Sequence, residues 1–452
     1  MRSREINILS GSLWRNILLF ALPLAASSIM QQLFNSADVA IVGQFAGNGA
    51  LAAVSSNGPI INLLINIFVG MSIGTNVVIA RFIGSGDTKR IESAVHTSML
   101  FAVIVGVFIA ILGFLVSRPM LQLMSTPEEY IDLSTVYLHI YFMGMPFLMI
   151  YNFGAAILRS RGDTKRPLIV LTISGVINVI LNLFFVIALK MSVAGVAIAT
   201  VISQAVSAAF LIYFLTHEEG ALRLNLKKLR IDRRILRDIA KIGIPSGLQG
   251  MVFSLSNICV QSSMNSLGPM VVAASGAALN FEIFTYFMVN GFENAAVTFT
   301  GQNYGAGNFK RCNAVALRTL ILGAIFTGSM CGLFIIFGRF CLRAYTSDPA
   351  VIEIALRRIY LVLSFQLANM TLQIFSGCMR GLGHSLAPAV ISIAGICGVR
   401  IIYVLTIFRM IPTFDTLMLA YPISWCLTAA AIVITYFFVR KKAYSKKTPD
   451  RA

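Results

Sequence analysis

The sequence predicts an all-α polytopic membrane protein with about twelve transmembrane helices in two pseudo-symmetric six-helix lobes. Three observations predict it. The chain is 57% apolar and only 12% charged, with a mean hydropathy of +0.81; a soluble fold of that composition would be covered in hydrocarbon. The apolar residues form long stretches, and about 20 residues at about 1.5 Å each cross a hydrocarbon layer of roughly 30 Å while satisfying their own backbone hydrogen bonds. Finally, the first half is written again 221 residues later. Gly84, Gly86, Lys89 and Arg90 recur as Gly305, Gly307, Lys310 and Arg311, and Gly162 and Pro167 recur as Gly383 and Pro388. Pro23 and Pro245 keep that spacing within one residue. Two membrane halves in the same order and orientation have a natural cavity between them that rocking can open to either side, so the repeat points to a transporter.

The first lobe, 1–215, takes spans near 13–38, 51–80, 93–117, 134–158, 166–189 and 193–215. The second, 238–440, takes 238–266, 271–299, 312–337, 353–380, 386–408 and 416–439. Several exceed what a bilayer needs, which implies tilt or kinks. Pro23, Pro146 and Pro245 each remove a backbone hydrogen bond inside a span and permit bending. The glycine pairs allow sharp turns after the second and eighth spans, held at the headgroups by their basic neighbours. The apolar start is too long for a signal peptide and reads as a retained helix. Between the lobes, 216–237 is a polar basic linker whose interleaved leucines suit a solvated connector or a short headgroup-bound helix. A basic tail covers 441–452.

The net charge of +18 is a topology signal. Counting from a cytoplasmic start, 28 of the 36 Lys and Arg fall on one side, among them Arg2, Arg4, Lys89, Arg90, Arg380 and the tail to Arg451. Seven, including Arg357 and Arg358, fall on the other, and Arg400 lies within a span. By the positive-inside rule both termini are cytoplasmic, in a multi-pass protein of the cell (inner) membrane, and nucleic acid is excluded as a partner. Membrane lipids are the expected surroundings, and a monomer the expected state. All seven Cys lie in the second half without a CxxC pair, and the four His are scattered, so neither disulfide, metal nor other cofactor is expected.

Ionisable carboxyls at membrane depth are costly and usually functional. Of eighteen Asp and Glu, nearly all map to span ends and loops; three do not, Asp38, Glu282 and Glu293. Asp38 shares one helical face with Gln31 and Asn35, a polar stripe suited to an ion or proton, or to capping a helix end. Glu282 and Glu293 are three turns apart, roughly 16 Å along one face. With Phe281, Phe284, Tyr286, Phe287 and Phe292 around them, they suit an organic cation held by charge and cation–π contacts; ordinary lipid-facing aromatics are the alternative.

The stretch LPLAASSIMQQLFNSADVAIVGQFAG at 22–47, the turn RSRGDTKRP at 159–167, AGVAIATVISQ at 194–204 and GQNYGAGNFKR at 301–311 resemble the multidrug and toxic compound extrusion family over essentially the whole chain. The resemblance implies two six-helix lobes around a central cavity, and extrusion of organic cations driven by inward Na⁺ or H⁺. It also implies an ion site in which Asp38 works with Asn178 and Thr200. The second acidic position of that site falls on Asn182, so one carboxylate stands where relatives have two, which favours H⁺ over Na⁺. The carboxyls that Na⁺-coupled relatives carry on the seventh and tenth helices are replaced by amides, among them Gln249, Asn257, Asn369 and Gln373.

The expectation is therefore a cation-coupled antiporter, not an enzyme. Asp38, Asn178, Asn182, Thr200 and Asn35 would hold the coupling ion, H⁺ or Na⁺, and Glu282, Glu293, Tyr286, Phe287, Gln31 and Gln249 would line a cavity for a small organic, cationic substrate. A lipid-linked precursor flippase of the same superfamily and a non-transport receptor or channel are the alternatives.

Overall fold

The computed structural model describes residues 6–124, 126–343 and 346–447. Arg2, Arg4 and Arg451 of the charge pattern, and the end of the basic tail, lie outside them. Among the described residues every regular element is helical. The first repeat contains α1 (Leu13–Phe45), α2 (Gly47–Ser56), α3 (Gly58–Ser85), α4 (Thr88–Leu123), α5 (Glu128–Met143), α6 (Met145–Arg161), α7 (Lys165–Leu183) and α8 (Ser192–Thr216). The second contains α9 (Arg233–Asn265), α10 (Pro269–Gly305), α11 (Phe309–Leu342), α12 (Pro349–Leu363), α13 (Gln366–Gly381), α14 (Leu386–Ser392), α15 (Val399–Tyr403) and α16 (Phe414–Lys447).

Joined across their breaks, these helices make the twelve tracts that the sequence predicts. Among the described residues nine are long and apolar enough to cross a membrane, and α5 with α6, bent by 46°, makes a tenth. The tracts of α9 and of α12 with α13 carry more polar residues. Pro146 sits in the first turn of α6, where its missing N–H is tolerated and the bend falls. Wider π-helical turns follow α7 at Phe184–Ala188 and flank α15 at Ile393–Gly398 and Val404–Phe408.

The repeated turns have one geometry. Gly86 and Gly307 adopt φ of +71° and +72°, open to glycine at little steric cost. The side chains of Asp87 and Asn308 then accept from the backbone N–H of Arg90 and Arg311, capping α4 and α11. The earlier glycine of each pair, Gly84 or Gly305, is still helical, so the turn needs one glycine where the sequence suggests two.

Two compact units result, and they do not follow the chain halves. The first runs Ala26–Gly247, and the second joins Ile6–Ala25 to the residues from Leu248 onward. Each boundary falls two residues past a helical proline, Pro23 or Pro245. Lobes of 1–215 and 238–440 thus exchange their opening segments. Within the first unit, Gly70 lets α3 and α9 touch backbone to backbone: a Cβ there would lie 2.3 Å from Gly247 N. Within the second, Gly291 does the same for α10 and α1, at 2.6 Å from Ala21 O. Phe20 then packs edge-on against Phe299, with ring centroids 5.4 Å apart.

The linker is held by hydrogen bonds and carries no long helix before α9 begins at Arg233. Of its two short 3₁₀ turns, Gly220–Leu222 lies against α4, and Leu226–Lys228 reaches that helix through Lys228 Nζ, 3.2 Å from Glu92 Oε1. There the N–H of Asn225 donates to His96 Nε2 at 3.1 Å and that of Asp232 to Thr97 Oγ1 at 3.0 Å.

Candidate functional site

In the first unit, α1, α7 and α8 bring four of the five ion-site candidates into one chain of contacts. Asn178 and Asn182, one turn apart on α7, present adjacent amides. The Asn182 Nδ2 donates to Asp38 Oδ1 and, at 3.3 Å, to Asn178 Oδ1. The Asn178 Nδ2 faces Thr200 Oγ1 at 3.5 Å, and that hydroxyl donates back to Val196 O at 3.0 Å. Asn182 is wholly buried, and its Oδ1 has no hydrogen-bond partner. A buried acceptor left open beside a carboxylate is a place for a cation or a proton-bearing group. Asn35 and Gln31 are exposed and take no part in these contacts.

The second unit corrects the reading of Glu282 and Glu293 as available negative charges. Each carboxylate is held by a buried arginine. Arg380 Nη1 donates to Glu293 Oε1, and Arg380 Nη2 donates to Gln249 Oε1 at 2.9 Å. Arg358 grips Glu282 with two hydrogen bonds, a geometry that only a guanidinium fork supplies. Phe281 and Phe292, two of the five aromatics expected around a cation, pack instead on Phe334 and Phe326, at 5.0 and 6.0 Å between centroids. Tyr286 is exposed and Phe287 half-buried. Gln249 supports Arg380.

Arg358 and Arg380, counted with the outer and cytoplasmic ends in the charge pattern, are 3% and 4% exposed within α12 and α13. The signal was present in the sequence, since two acids within one span call for two cations from its neighbours. Arg400 on α15 is the one basic residue that the charge pattern leaves within a span. It is 5% exposed.

The comparisons agree with this architecture. The MatE family model matches residues 23–184 and 245–406, one match per repeat. The "Probable multidrug resistance protein YoeA" of Bacillus subtilis is 30% identical over 95% of both chains. The "Probable multidrug resistance protein NorM" of Thermotoga maritima is 26% identical over 86% of this chain and 84% of its own. The solved structure of a MOP superfamily transporter from Pyrococcus furiosus superposes with a TM-score of 0.90 at 22% identity, covering 99% of this chain and 100% of that one.

Proposed function

The chain belongs to the MatE family, and from that premise we propose that it is a cation-coupled antiporter, exporting small organic compounds across the cell membrane with both termini in the cytoplasm. The multidrug names of its relatives support the export of organic compounds. The open Asn182 oxygen beside Asp38 carries the assignment of the coupling ion. Asp38 takes the ion or proton, Asn182 orients the carboxylate, and Asn178 and Thr200 supply further oxygens. Occupation of this cluster favours one packing of its unit, and substrate favours another, so the two compete through one conformational equilibrium. With a single carboxylate and otherwise neutral oxygens, the cluster suits H⁺ better than Na⁺.

The test is efflux of a fluorescent organic compound from proteoliposomes under an imposed pH or Na⁺ gradient, for the native protein and Asp38→Asn. Gradient-driven efflux lost in the variant supports the assignment and names the ion. Efflux that needs neither gradient, or survives in Asp38→Asn, overturns it.

A further inference from the structure

We infer that the second unit contains an anion-binding site centred on Arg400, which takes a carboxylate or phosphate group of a small organic molecule. Two buried arginines of this unit are matched by carboxylates, Arg358 by Glu282 and Arg380 by Glu293. Both oxygens of Glu282 are occupied by Arg358. Among the described residues no carboxylate pairs with Arg400, which leaves the cluster one positive charge in excess.

The surroundings of Arg400 orient the guanidinium without neutralising it. Its Nε donates to Ser424 Oγ at 3.1 Å and its Nη1 to Asn257 Oδ1 at 3.5 Å. The group lies 4.3 Å from the centroid of Tyr421 and 5.8 Å from that of Trp425. Arg358 lies over the same Tyr421 ring at 5.7 Å. Two arginines on one ring, one of them unpaired by charge, make a costly arrangement in a membrane unless an anion joins it. A guanidinium fork matches the paired oxygens of a carboxylate or phosphate.

The repeat sharpens the assignment. The 221-residue offset carries Thr200 onto Tyr421 and Asn178 to within one residue of Arg400. The π-helical turn after α7 recurs after α15, and such turns are frequent at functional sites. Arg400 and Tyr421 thus occupy, in the second repeat, the stretches that carry Asn178 and Thr200 in the first.

The chain has two tryptophans, Trp14 and Trp425, so a Trp14→Phe background leaves Trp425 as a reporter beside Arg400. The experiment titrates this protein, in phosphatidylcholine nanodiscs, with cyclohexanecarboxylate, cyclohexyl phosphate and cyclohexylammonium, probes of one frame and different charge. The expected result is a saturable change in Trp425 emission with at least one anion, at least tenfold weaker with the ammonium, and lost in Arg400→Gln. Asn257→Asp places a carboxylate against Arg400 and should also abolish the response while keeping the protein folded, which guards against misfolding of Arg400→Gln. No saturable anion response, an equal response to the ammonium, or an undiminished response in Asn257→Asp overturns the site. A response only to replacing phosphatidylcholine with phosphatidylglycerol assigns the arginine to lipid headgroups and overturns the small-molecule ligand. That the bound anion is also exported rests on the transport reading above. Asp38→Asn should abolish gradient-driven efflux while a saturable anion response persists, even if its midpoint shifts through the shared equilibrium, so failure of coupling and failure of the site are distinguishable.

Discussion

Arg358 Nε meets Glu282 Oε1 at 2.5 Å, and its Nη2 meets Glu282 Oε2 at 3.0 Å. A second buried ion pair lies about three turns further along α10, where Arg380 holds Glu293. These pairs fix how α10 sits against α12 and α13, and they turn two acids that could attract a cation into members of the unit's internal frame.

Loss of one partner should therefore cost far more than loss of both. Glu293→Gln or Arg380→Met alone should destabilise the protein by about 3–5 kcal/mol, because each leaves a buried charge unpaired. The double variant, Glu293→Leu with Arg380→Met, should recover most of that stability. Unfolding in a graded denaturing detergent measures all three.

The Asp38 cluster predicts a gain as well as a loss. Asn182→Asp supplies a second carboxylate and should strengthen Na⁺ binding by tenfold or more, since affinity for a hard cation rises with ligand charge. A Na⁺-dependent rise in thermal stability, absent with choline at equal ionic strength, would register it. Equal shifts in the native protein and the variant would argue against the cluster as a cation site.

Close backbone approach at Gly70 and Gly291 predicts size sensitivity at both repeat positions. A valine there must push the touching helices apart, so Gly70→Val and Gly291→Val should each lose monodispersity in size-exclusion chromatography. Gly276, on the same helix as Gly291 but with nothing within 4 Å of an added Cβ, should accept alanine with little effect.

The docked linker predicts a local response. His96 accepts from the N–H of Asn225 through Nε2, and its Nδ1 lies 2.6 Å from Glu92 O. Neutral imidazole with its proton on Nδ1 satisfies both contacts. His96→Leu should raise protease cleavage within 220–230 several-fold while leaving the compact units folded, as limited proteolysis with mass spectrometry would show.

The spans were legible because hydrocarbon thickness imposes a length and an apolar content that no other environment demands. Gly86 and Gly307 were legible because a turn with positive φ admits few residues. Asp38, Asn178, Asn182 and Thr200 could be grouped through the resemblance, and the structure brings them together. Asn35 shares a face with Asp38 in the sequence, yet it is exposed, because periodicity fixes a side chain's face but not what packs there. The partners of Glu282 and Glu293 were hidden for a different reason. Arg358 and Arg380 are 76 and 87 residues away along the chain, and near the predicted ends of a span an arginine reads as a headgroup anchor. The exchange of opening segments was equally silent, since hydropathy says that a helix crosses the membrane and not which neighbours it meets.

That exchange has a consequence for biosynthesis. Phe20 leaves the ribosome early, but Phe299, the ring it packs against, is made only after most of the chain. Through that interval the opening residues of α1 have no native packing partner in the second unit. Translation order thus sets when the unit can close: its earliest segment is inserted first and settled among the last.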